Sequence, residues 1–173
     1  MLGLGLLALA SPRARLPILL WNASPSVPLG LYGVVARTPA AGELAVIRLP
    51  GQIRALAVER GYLAGRALVI KPVAAGPGDV VCRHAAMVTV NGHAVAWAHR
   101  TDGFGRALPR WTGCLTLTAS QVFVLSAAPG SFDSRYFGPV DRRHVLGTAL
   151  PIWTLAPVGV PGPYAGDPAD QPR

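Results

Sequence analysis

A chain of 173 residues, 51% of them hydrophobic, is long enough for one domain with a real core and too apolar for a disordered tail or a charged linker. Its 20 glycines and 17 prolines interrupt the chain every few residues, which argues against a helical bundle and for short strands and turns. The formal charge of +8 raises nucleic acid as a partner, but Arg37, Arg48, Arg54, Arg60 and Arg66 stand singly and only Arg142 and Arg143 adjoin. With no aromatic stripe and no zinc-finger or P-loop spacing, no nucleic acid is expected, and a basic surface beside anionic lipid accounts for the charge equally well.

In chain order, Met1 to Ala10 is apolar and uncharged, but ten helical residues reach about 15 Å, half of a hydrocarbon core of about 30 Å. A second apolar patch, Leu16 to Trp21, suits the membrane interface with Trp21 at headgroup depth. Residues 1–21 are therefore expected to form a truncated or interfacial membrane-anchor segment. Residues 22–156 are expected to form the folded domain, and 157–173, rich in Pro, Gly and Asp, a flexible tail. Strands are expected over Leu31–Arg37 and Leu44–Leu49, then a helix over Gln52–Leu63, then a strongly apolar strand, Ala67–Val73. Asp79–Arg83 is the next strand. Met87–Val90 and His93–Trp97 flank Asn91–Gly92, a hairpin signal because both central residues tolerate positive φ. Residues 99–113 read as an irregular loop, and Gln121–Ser126 and His144–Trp153 as closing strands. The fold class is mainly β, antiparallel, with one short helix.

Three patches carry possible chemistry. In Asn22–Ala23–Ser24–Pro25–Ser26–Val27–Pro28–Leu29–Gly30, prolines stiffen a loop holding two serines. That rigidity suits a nucleophile, or simply a Ser/Pro-rich linker. The second patch is Lys71, the only lysine among sixteen basic residues. Unlike arginine, a buried lysine can give up its proton and serve as a base; on an edge strand it would instead face solvent and guard against aggregation. The third, Ser131–Phe132–Asp133–Ser134–Arg135–Tyr136–Phe137–Gly138, offers a hydroxyl to orient an amine and an Asp/Arg pair to brace the loop, or an ordinary surface turn. Cys82 and Cys114 are too few for a zinc site, and no histidine is expected to serve either as a co-ligand. They read as a disulfide or as two buried thiols.

These patches, in this order and spacing, resemble the type I signal peptidases, above all their conjugative-transfer, TraF-like pilin-processing branch, over about Leu20 to Trp153. The resemblance implies an antiparallel, barrel-like signal-peptidase (LexA-like) fold and a Ser/Lys dyad, with Ser26 as nucleophile and Lys71 as base. It implies an oxyanion hole from Ser24 and the Ser26 N–H, and Ser131, Asp133 and Arg135 as support for the lysine. The other matching boxes are Ala41 to Ile47 and Leu68 to Asp79. Pro72 stands where general signal peptidases carry arginine, and Ser126–Ala127–Ala128–Pro129–Gly130 replaces their Gly-Asp-Asn run; both departures point to the conjugative branch. No metal or organic cofactor is implied. The implied substrate is an exported precursor, a pilin subunit, cleaved after a small residue at the periplasmic side of a bacterial inner membrane. Two rivals are a self-cleaving repressor-type Ser/Lys protease, for which 25 residues before Ser26 leave no room, and a non-catalytic β-rich envelope or pilus-assembly module.

Overall fold

The computed structural model describes residues 18–63 and 68–156. Most of the expected anchor segment, the residue Ala67 and the expected tail lie outside them. Among the described residues, eleven strands form two antiparallel sheets. The larger joins β1 (Ile18–Asn22), β2 (Gly30–Val35), β11 (Val145–Thr154), β3 (Leu44–Arg48), β4 (Leu68–Ala75), β9 (Gln121–Val124) and β10 (Val140–Asp141), in that spatial order. The smaller joins β7 (His93–Trp97), β6 (Met87–Val90), β5 (Val80–His84) and β8 (Gly113–Thr116).

The central strands β3 and β4 read as unbroken apolar runs because both of their faces are covered. Ala45, Ile47 and Val73 enter one core with Ala57, Val122, Val124 and Val140. Leu44, Val46 and Ile70 enter a second with Tyr32, Val34 and Ala149. A third cluster, around Val81, Val88, Phe123 and Leu125, joins the small sheet to the large one. The hairpin forms as expected, with Asn91 at φ 50° and Gly92 at φ 82°.

Several expectations are corrected. Ile18–Trp21 is part of the sheet: β1 pairs with β2 from Ile18↔Val34 to Asn22↔Gly30, so the folded domain starts before residue 22. The cause is a period of two, with Leu19 and Trp21 outward while Leu20 packs on the second core. The helix α1 spans Gly51–Glu59 and stops short of Leu63, because Gly61 adopts φ 73° and the amides of Tyr62 and Leu63 turn back to the Ala57 carbonyl. The loop expected over 99–113 runs into β8 at Gly113. Ser131–Gly138 is no surface turn: it contains a four-residue helix, α2 (Ser134–Phe137), with Ser134, Arg135 and Tyr136 buried. Among the described residues, no helix is long and apolar enough to cross a membrane.

Candidate active site

Asn22 ends β1 and closes the serine loop. Its amide Nδ2 donates to the carbonyls of Ser24 (2.8 Å), Val27 (2.9 Å) and Pro28 (3.1 Å), while its Oδ1 accepts from the Ser24 amide at 3.2 Å. One buried side chain thus satisfies both sides of a seven-residue loop that has no ladder of its own. At the far end, a Cβ on Gly30 would lie 2.2 Å from the Trp153 carbonyl oxygen, so only glycine lets β2 start against β11 here. Between these points the loop presents the exposed Ser24 and the half-buried Ser26.

Lys71 sits in β4, an interior strand, opposite Ala45 of β3. It is only 4% exposed, so the reading of a solvent-facing edge lysine is set aside. Its Nζ donates to Ser26 Oγ at 2.7 Å and to Ser131 Oγ at 2.5 Å. The two hydroxyls are 3.4 Å apart. Burial pulls the ammonium down from 10.5 to about 8; the nearby Asp133 carboxylate opposes this and the Arg135 guanidinium adds to it.

The structure brings Ser26, Lys71 and Ser131 together, with Ser24 at the margin. Ser24 Oγ lies 3.0 Å from Ser26 Oγ and accepts from the Ser26 amide at 3.4 Å. The two groups expected to serve as oxyanion donors are therefore bonded to each other, and a third oxygen has to displace that contact to be held by both.

Asp133 and Arg135 do not hydrogen-bond the lysine they were expected to support. They form a buried ion pair, Arg135 Nε to Asp133 Oδ1 at 2.8 Å, and together they grip Ser126. Asp133 Oδ2 accepts from the Ser126 amide at 3.0 Å, and the Arg135 guanidinium donates to the Ser126 carbonyl at 2.5 Å. Ser126 Oγ in turn donates to the Ser26 backbone carbonyl at 2.5 Å. The pair therefore positions the backbone of Ser26 through Ser126, a residue to which sequence reasoning gave no role. Its only signal was a polar side chain closing an apolar strand. Asn22 was legible as the first residue of its box, without its function as the loop's clasp.

Cys82 and Cys114 face each other across β5 and β8 and are joined in a disulfide, which favours the first of the two readings offered for them.

With this geometry in view, the comparisons with known proteins are specific. The model of the family described as signal peptidase, peptidase S26 matches residues 1–154. The "Probable conjugal transfer protein TraF" of Sinorhizobium fredii is 40% identical over 149 residues, covering 79% of this chain and 77% of that protein. The plasmid transfer protein TraF of Escherichia coli is 34% identical over 145 residues, 77% of this chain and 81% of its own. Agrobacterium fabrum has a conjugal transfer protein TraF that is 35% identical over 147 residues, 79% of this chain and 82% of its own. A solved signal peptidase I from Enterococcus faecalis overlaps 66% of this chain and 98% of its own at 19% identity, with a TM-score of 0.39, too loose a superposition to add to the assignment. The chain belongs to the signal peptidase, peptidase S26 family.

Proposed function

We propose that this peptidase is a serine endopeptidase in which Ser26 is the nucleophile and Lys71 the general base, and that it removes leader peptides from exported precursors. The observation that carries the reading is a buried lysine whose Nζ lies 2.7 Å from the Ser26 hydroxyl. A serine is a weak nucleophile until a base takes its proton, and a lysine can do so only where burial lets it stand uncharged near neutral pH. In the resting site the ammonium donates to Ser26. Once it loses its proton, the same contact reverses, and the amine accepts the hydroxyl hydrogen.

Ser26 Oγ then attacks the scissile carbonyl carbon, and the C–O bond forms as the carbonyl oxygen becomes an oxyanion. Ser24 releases the Ser26 amide, and both donate to that oxygen. Collapse of the adduct expels the amine of the product, which takes its proton from Lys71. Water, deprotonated by the same lysine, hydrolyses the acyl-enzyme. Ser131 keeps the amine aimed throughout. The chemistry uses no metal.

The TraF names of the relatives support a conjugative pilin subunit as the precursor. An exposed apolar face supports action at a membrane surface, and the side proposed is the periplasmic side of the inner membrane because exported precursors emerge there. Leu19 and Trp21 of β1 and Leu150, Ile152 and Trp153 of β11 are all exposed, and the two indoles stack at 6.1 Å. β1 runs from this face straight into the Asn22 clasp.

The test is cleavage of a pilin-type precursor by the purified full chain in lipid vesicles. Ser26→Ala, Lys71→Ala and Lys71→Arg should each lower turnover by on the order of 10⁴-fold or more. The wild-type rate should rise with pH and level off above about 8, since the working form is the neutral amine. An active Lys71→Arg enzyme would overturn the base assignment, because guanidinium keeps its proton.

A further inference from the structure

On the outer face of the small sheet, on strands that do not carry the dyad, three metal-ligating side chains converge. Cys82 and His84 are two residues apart on β5 and so point to the same side, and Cys114 is the direct cross-strand partner of Cys82 on β8. The ligand atoms of the three lie within 4.8 Å of one another. His84 Nε2 and Cys114 Sγ are 3.7 Å apart. Zn–S bonds of about 2.3 Å and Zn–N bonds of about 2.0 Å, at tetrahedral angles, separate such donor atoms by about 3.5–3.8 Å, so this pair already has the spacing of two ligands on one ion. Sequence spacing gave His84 no part beside the cysteines, yet residues at i and i+2 are neighbours on a strand face, so β5 brings it next to them.

We propose that Cys82, His84 and Cys114 form a redox-gated site for a borderline-soft divalent cation of the zinc type. In the disulfide form the two sulfurs are bonded to each other and have no thiolate to offer. A dithiol reductant opens the bond: its two sulfurs are oxidised to a disulfide, and the two electrons and two protons pass to Cys82 and Cys114. A divalent cation then replaces the two thiol protons, which leave to solvent, and binds two thiolates and the neutral imidazole with one position left for water. The outer face admits both reactants, since His84 and Cys114 are exposed and Cys82 is half-buried. Soft sulfur ligands select zinc-type ions over magnesium or calcium.

The sheet also gives the site a route inward. Arg83, between the two β5 ligands, points the other way and donates to the Arg135 carbonyl at 2.6 Å in the buried network behind Ser126. The cation thus sits on the strand that buttresses this network.

The experiment uses the full chain, reduced with a phosphine and freed of reductant, titrated with Co²⁺ as a spectroscopic probe and then with Zn²⁺. Expected are thiolate-to-cobalt charge-transfer absorption and tetrahedral visible bands that saturate at one ion per chain, vanish on adding Zn²⁺ and are absent from the oxidised protein. His84→Ala keeps both cysteines and the disulfide, and should bind Co²⁺ at least tenfold more weakly, while Cys82→Ser/Cys114→Ser should show no charge-transfer band. Circular dichroism should report the same β-sheet signal before and after reduction. The proposal is overturned by His84→Ala binding like the wild type, by an equal signal from the oxidised chain, or by loss of the fold on reduction.

Discussion

At the scale of a residue, Lys71 shows what a buried amine costs. The unfolded chain holds its proton near 10.5 and the folded one near about 8, so keeping the charge at neutral pH costs the fold about 3 kcal/mol. Below about pH 8 both states are protonated and the whole penalty stands. Between about 8 and 10.5 the unfolded state binds more proton than the folded one, so stability rises with pH; above that range both are neutral and the penalty is gone. Lys71→Met keeps the length and removes the charge, and leaves Ser26 and Ser131 close enough to bond each other. The variant should be inactive and more stable than the wild type by up to about 3 kcal/mol at pH 7. That margin should shrink through pH 8–10.5, as read by urea denaturation across the series. A Met variant no more stable than the parent at pH 7 would mean the amine is not desolvated.

At the scale of an element, the serine loop is held by three inputs: the Asn22 clasp, the fit of Gly30 against β11, and the tether from Ser126 to the Ser26 carbonyl. Asn22→Asp tests the clasp, because it replaces a donor facing three carbonyls with a carboxylate oxygen. Expected are a stability loss of about 2–4 kcal/mol and a fall in kcat of about 10²-fold, as Ser26 drifts from the amine. An unchanged kcat in a folded Asn22→Asp protein would remove the clasp from the mechanism. The serine, the lysine and the boxes around them were legible in the sequence because their chemistry is local: stiff prolines, a lone lysine, an apolar strand. The tether was not, because Ser126 reaches Ser26 across 100 positions and nothing local marks that contact. Asp133 and Arg135 were legible as a pair, while their target became visible only once β9 and α2 packed together. Likewise β3, β4 and the Asn91–Gly92 hairpin follow from runs and turn residues. β1 was legible only as an apolar patch, because ILLW fits both an interfacial segment and an alternating edge strand, and pairing with β2 makes it a strand whose outward residues stay exposed.

At the scale of the whole molecule, an apolar and open face of the large sheet adjoins the loop that carries Ser26, while Lys71 is buried. Register puts Leu19 of β1 and Leu150 of β11 on either side of Gly33, and Trp21 and Trp153 on either side of Leu31, so all four share a face. Gly33 adds no side chain of its own and lets Ile152 lie across it, 3.4 Å from where a Cβ would stand. A monomer rarely leaves such a patch to water, and indoles at its centre with a basic chain around it suit an anionic lipid surface. Leu19 and Ile152, 57% and 58% exposed, lose little folding energy if replaced. Leu19→Ser/Ile152→Ser should therefore leave cleavage of a short soluble peptide unchanged while weakening partition onto anionic vesicles about tenfold or more, the equivalent of about 1.4 kcal/mol or more of apolar burial. Cleavage of a vesicle-inserted precursor should fall in step with that partition. Equal vesicle binding by the double variant and the wild type, measured by co-sedimentation at matched ionic strength, would place the membrane seat elsewhere on the chain.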